Sequence, residues 1–269
     1  MKKALDIRWL YILLFLSIIV PMARPLGLPL KMGTWTKVVW DTLDKLTPND
    51  VLLICPDFNP SIESELGPQR DALIYHLGQK GVKAIFVTFV PQGTQQTKKF
   101  ITGLEAAGRK YGTDLVDLGF LAGEETALAA FFGDMKKACP KDARGTATAD
   151  IPLLKNINTA RDVKLLIHFA QSLPGTAEYV RQLGPYGITF VECVSTGAMA
   201  TSVTYVQSKQ ALGLIAGLQG AAEYEMLNKH LAYATTAMDS QSLAYTVFIG
   251  AVIAGNVIYY IERKRARTK

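Results

Sequence analysis

The feature that most limits this chain lies at its ends. Leu243 to Tyr260, LAYTVFIGAVIAGNVIYY, is a run of eighteen uncharged residues followed at once by IERKRARTK. As a helix at about 1.5 Å per residue it reaches roughly 27 Å, close to the roughly 30 Å of a bilayer's hydrocarbon core. It reads as a transmembrane helix. Trp9 to Val20, WLYILLFLSIIV, is a second uncharged run, shorter, preceded by Lys2, Lys3 and Arg8. On length alone a cleavable signal peptide competes with an anchor. The exit PMARPLG places Pro21 two residues before Ala23, the one small residue suited to cleavage, and Arg24-Pro25 directly after it. The small-x-small pattern is missing, so the uncleaved anchor is favoured.

Charge is sorted to match. The formal net charge is +6, yet four basic residues precede Lys31 and five follow Tyr260, which leaves twenty basic against twenty-one acidic residues between 31 and 240. A nucleic-acid surface needs a Lys/Arg patch to neutralise phosphates, and the middle of the chain supplies none. Membrane lipid is the partner that the ends imply. Lys and Arg near a span stay in the cytoplasm, so both termini are expected inside the cytoplasmic (inner) membrane and the middle outside it, with the reversed topology as the alternative. The domains expected are an anchor over 1–30, a soluble domain over 31–235, and a transmembrane helix with a basic tail over 236–269.

The middle alternates strands with helices. VLLIC (51–55), KAIFVTF (83–89), VKLLIHF (163–169) and ITFVECV (188–194) are β-branched or apolar runs suited to buried strands, and DLVDLGF (114–120) is a weaker one. Helical stretches separate them, with Gly81, Gly112 and Gly187 placed as stops. TWTKVVWDTLDKL precedes the first strand as a short amphipathic helix. Its Trp35 and Trp40 suit either the headgroup level or packing on the domain that follows. The pattern predicts an α/β class: a Rossmann-like, mostly parallel sheet with helices on both faces. The irregular KDARGTATADIPLLKNINTARD is where the sheet crosses to its second half.

Ligands of open α/β sheets sit at the strands' carboxyl ends. The first strand exits into CPDFNPS, with Asp57, Asn59 and Ser61 in the loop. An aspartyl nucleophile followed two residues on by an acid/base aspartate would suit phosphoryl transfer, but the second position is Asn59, and an Asx turn is the plainer role. No dinucleotide or GxxxxGK[ST] loop occurs, and Glu124 and Glu125 after Gly119–Gly123 suit a helix dipole better than a phosphate. STGAMATS (195–202) offers Ser195 and Thr196 as candidate ligand groups. A Ser195–His168–Asp57 set lacks the GxSxG frame of a serine hydrolase. His76, His168 and His230 have no metal-ligand spacing, so neither metal nor cofactor is expected. Cys55, Cys139 and Cys193 read as buried free thiols, with one disulfide as the upper limit.

GLIAGLQGAAEYE (213–225) is the remaining puzzle. Taken as one helix, it aligns Gly213, Gly217, Gly220 and Tyr224 on one stripe. Three glycines cost about 2–3 kcal/mol of helix propensity, which argues for close backbone approach, within the domain or between subunits. Gln219 and Glu223 share another face, as a solvated edge or a polar contact, and Glu223 joins the candidate ligand residues. In the second span Gly250 with Ala254 and Ala251 with Gly255 are small-xxx-small pairs that favour helix association.

PLKMGTWTKVVWDTLDKLTPNDVLLICPDFNPS, ALGLIAGLQGAAEYE and MDSQSLAYTVFIGAVIAGNVIYYIERKR together resemble a family of two-span, membrane-anchored bacterial and archaeal proteins, across nearly the whole chain. The resemblance implies no activity, substrate or catalytic residue. The function expected is a membrane-anchored binding or assembly module, homo-oligomeric or an accessory subunit with protein partners. The alternative is a hydrolase or transferase working at the strand carboxyl ends.

Overall fold

The computed structural model describes residues 7–171 and 173–267. In chain order the helices are α1 (Ile7–Ala23), α2 (Thr34–Asp44), α3 (Glu63–Lys80), α4 (Gly93–Ala106), α5 (Glu124–Gly133), α6 (Met135–Ala138), α7 (Thr176–Leu183), α8 (Met199–Gln207), α9 (Gly217–Leu227) and α10 (Tyr233–Arg267). The strands are β1 (Val51–Cys55), β2 (Lys83–Thr88), β3 (Leu115–Phe120), β4 (Leu165–Ala170), β5 (Phe190–Val194) and β6 (Gly213–Ala216). Two compact units result, Lys31–His230, and Met1–Leu30 together with Leu231–Lys269.

In the larger unit the six strands form one parallel sheet in the order β3-β2-β1-β4-β5-β6. This is the order of doubly wound Rossmann-like sheets, with the switch point between β1 and β4. Parallel strands buried on both faces read as continuous apolar runs. Accordingly Leu52 and Ile54 join one core with Phe86, Phe100, Ile167 and Tyr224. Leu53 and Cys55 join the other with Ile85, Phe131, Leu166 and Tyr179. The period-2 alternation of strand side chains divides them. α2, α3, α4 and α9 cover the first face, and α5 to α8 the second. Val39 and Leu43 of α2 are fully buried, so this helix packs on its own domain.

Three predicted helices are redrawn. α4 stops at Ala106, six residues before Gly112, and α7 stops at Leu183, with a 3-10 turn between it and Gly187, whereas Gly81 (φ 67°) does end α3 in the left-handed region. GLIAGLQGAAEYE is not one helix. Gly213 to Ala216 extend the sheet, paired Val191↔Gly213 through Val194↔Ala216, and the helix begins only at Gly217. Four residues are too few to show a strand period, and only the non-local partner β5 makes them one.

The smaller unit joins α1 to the first half of α10. Ser240 Oγ donates to Ile18 O at 3.2 Å. Asp239 accepts the backbone N–H groups of Leu26, Gly27 and Leu28 at 2.7, 2.9 and 2.9 Å. A carboxylate held by successive N–H groups is a nest contact, and it gives the MDSQS segment a physical role. α10 has 35 residues and is long and apolar enough to cross a membrane by length and composition; α1 is a shorter apolar helix.

Candidate functional site

Asp57, two residues beyond β1, is fully buried. Its carboxylate accepts from Thr88 Oγ1 (2.8 Å), Phe89 N (2.8 Å) and Tyr179 OH (2.6 Å). Burial pushes its carboxyl up, against the pull of His168 and these donors. Burial and the facing Asp57 together raise the Tyr179 phenol well above its usual value. The expected ligand role of Asp57 meets a side chain already committed to holding β1, β2 and α7 together.

The switch-point crevice is closed in the same way. Asn59 N donates to Gln171 Oε1 at 2.8 Å, and Ser61 N donates to Asn59 Oδ1 at 2.9 Å. Gln171 Nε2 completes the lacing with a 3.3 Å bond to Ser61 Oγ. Asn59 thus forms the Asx turn that leads into α3, whose first turn carries Glu63 and Glu65. Two carboxylates at that helix end oppose a pyrophosphate.

Glu192 is the polar residue without a sequence motif, and it faces His168, weighed above only for a Ser-His-Asp set and for metal binding. They are register partners on β4 and β5 and both are fully buried. His168 Nε2 lies 3.7 Å from Asp57 Oδ2, and its Nδ1 lies 3.5 Å from Glu192 Oε1. Its ring stacks on Tyr179 with centroids 3.7 Å apart. Among the described residues neither ring nitrogen and neither Glu192 oxygen has a hydrogen-bond partner. His168 thus lies between two buried carboxyl groups, at distances longer than a hydrogen bond. A glutamate at the centre of the apolar run ITFVECV was the signal available in the sequence. Because both imidazole nitrogens face carboxylates, the Ser195–His168–Asp57 set does not form; Ser195 Oγ instead accepts from Ala198 N at 3.3 Å. Among the described residues no group of three His, Cys, Asp or Glu side chains has the geometry to hold a metal. The three cysteines are free and buried.

The other half of the strand ends is built differently. Thr196, after β5, donates through N and Oγ1 to Glu65 Oε2 at 2.7 and 2.8 Å. Gly217 has φ 57°, and a Cβ there would lie 2.2 Å from Thr196 Oγ1. Only glycine fits that turn. Gly213 admits α2, since a Cβ would lie 2.9 Å from Trp35 O, and Gly220 closes on Ile215 at 3.0 Å. Tyr224 is fully buried with its hydroxyl 2.7 Å from His76 Nδ1. The close approaches foreseen for Gly213, Gly217 and Gly220 are therefore made within the domain, from a strand and a helix rather than along one helical stripe.

Gln219 and Glu223 do pair, Nε2 to Oε1 at 3.0 Å, but Glu223 is only 3% exposed. It borders a cavity of about 360 Å³ between the start of α2, the β6 end and α9, which Thr196 also lines. The structure thus brings Thr196 and Glu223 to one cavity and leaves Asp57, Asn59 and Ser195 outside it. The contribution of Met32, Gly33 and Trp35 had no sequence signal, because it depends on α2 crossing β6. Compared with known proteins, the chain matches no family model, no curated protein and no solved structure.

Proposed function

We propose that the chain is a membrane-anchored binding or assembly module, as a homo-oligomer or an accessory subunit of a larger complex, and not a catalyst at the strand ends. The observation that carries this reading is the closure of the switch point. Asp57 is fully buried with three donors on its carboxylate, and Asn59, Ser61 and Gln171 lace the crevice above it. The hydrolase or transferase alternative would need that carboxylate to meet a substrate.

The resemblance to two-span anchored proteins belongs to the same reading. α10 serves as the span, with α1 beside it as the second anchor, and the basic ends hold both termini in the cytoplasm. Gly250 and Gly255 are exposed on α10, and a Cβ on either meets nothing within 4 Å. Both positions are open to a second helix in lipid.

Two measurements test it. Burial raises the thiols of Cys55 and Cys193 well above their usual value and that of Cys139 to about 12, so the native background in thiol labelling is low. Ala149→Cys on an exposed turn is then expected to react with a membrane-impermeant maleimide on intact cells, and labelling only after lysis would reverse the topology. Purification from native membrane in mild detergent is expected to yield an oligomer or a copurifying protein. A bare monomer at every concentration would sink the assembly role.

A further inference from the structure

We propose that the cavity at the β6 end binds a small amphipathic ammonium, an apolar or aromatic body carrying one protonated amine. This rests on the reading of the domain as a binding module and adds the chemistry of its ligand. The cavity's roughly 360 Å³ lies in the size range of small-molecule sites. Met32, Trp35, Met199 and Leu214 give it apolar and aromatic walls.

Glu223 sets the sign. It is 97% buried, with Oε1 held by Gln219 Nε2 at 3.0 Å. Oε2 lies where a side chain on Gly33 would begin, 2.7 Å from an ideal Cβ. Among the described residues no donor reaches Oε2. Gly33 stands at the N-cap of α2 and provides no side-chain cap, and a helix start is a place where negative charge is stabilised. The carboxylate is thus kept at the cavity wall with one oxygen uncommitted. A largely buried side chain with an unused acceptor is matched best by a charged donor, and the Trp35 indole in the cavity wall adds attraction for the same cation. Lys31 lines the cavity but is itself exposed, which leaves it solvated rather than seated on Glu223.

The test is calorimetric titration of the full chain in lipid nanodiscs with phenethylammonium. Its neutral and anionic counterparts, 3-phenylpropan-1-ol and 3-phenylpropionate, serve as controls. Phenethylammonium is expected to bind, and each control to bind at least ten-fold more weakly, roughly the worth of one charged hydrogen bond. Glu223→Gln is expected to weaken the amine by roughly ten-fold or more. Met199→Trp, which fills the cavity and spares Glu223, is expected to abolish binding and carries the test where Glu223→Gln does not fold. Equal binding of the three probes, full binding to both variants, or no binding of the amine overturns the proposal and leaves the membrane-module reading standing. Mass spectrometry of the recovered amine separates the two claims. An unchanged amine fits both, whereas a chemically altered one upholds the site and overturns the non-catalytic reading.

Discussion

Asp57 and Glu223 are two acidic side chains at the rim of one sheet, both almost wholly buried, and they are used in opposite ways. Asp57 faces three donors and a histidine, and its surroundings are filled with Phe89, Tyr179 and the β2 turn. Glu223 has one donor and a cavity beside it. Burial alone therefore does not mark a functional carboxylate. What matters is whether the chain has already supplied its partners, since a fully paired buried charge is structural and a partly paired one has capacity left.

The largest effect should come from breaking the filled side. Asp57→Ala leaves the Thr88 and Tyr179 hydroxyls and the Phe89 N–H without their common acceptor. It is expected to destabilise the protein by about 2–4 kcal/mol, read from denaturant midpoints of the solubilised full chain. A change under about 0.5 kcal/mol would mean that the network is not structural. On the open side, Gly213→Val sharpens the contrast. Its Cβ meets Trp35 O at 2.9 Å and Val39 Cγ2 at 3.0 Å, so α2 must shift, at a cost of about 1–3 kcal/mol. The same shift moves a cavity wall, so the variant should also lose amine binding; full stability would mean that α2 does not pack there.

The smallest effect is a dependence on pH. His76 supports the open side from beneath, with Nδ1 on the Tyr224 hydroxyl and Nε2 3.5 Å from Asp44 Oδ1. Burial lowers its imidazole below the ordinary 6.5, against the upward pull of Asp44. The folded state thus prefers the neutral ring. Its contribution is complete above about pH 6.5, the unfolded value, and is lost as pH falls through the lower folded value. Asp57, raised by burial, works the other way, contributing below its unfolded range and losing that contribution as pH rises. Stability of the full chain is expected to drop on acidification from neutral pH, and His76→Gln to flatten that part of the profile. An unchanged slope in the variant would assign the acid sensitivity elsewhere.

The sheet was largely legible in advance because parallel strands buried on both faces must be apolar throughout. VLLIC coincides with β1, and the β2, β4 and β5 runs overlap their strands with shifted ends. β6 was not legible. GLIA carries no period, and the glycines beside it suggested a helical stripe when their real causes were separate: a strand passing under α2 at Gly213, and a left-handed turn against Thr196 at Gly217. Of the candidate site, Thr196 and Glu223 were visible as polar groups at expected strand and helix ends. The closure of Asp57 was not, because its partners come from β2 and α7, 31 and 122 residues away along the chain.

The sequence by itself determined the apolar ends with their basic flanks and the alternation that makes a parallel α/β sheet. Both are composition along a continuous stretch, and local burial demands are enough to impose them. Only the tertiary structure decided which carboxylate is spent and which is spared. That depends on which donors arrive from distant elements, and hydrogen-bond satisfaction belongs to the assembled neighbourhood rather than to any residue's own segment.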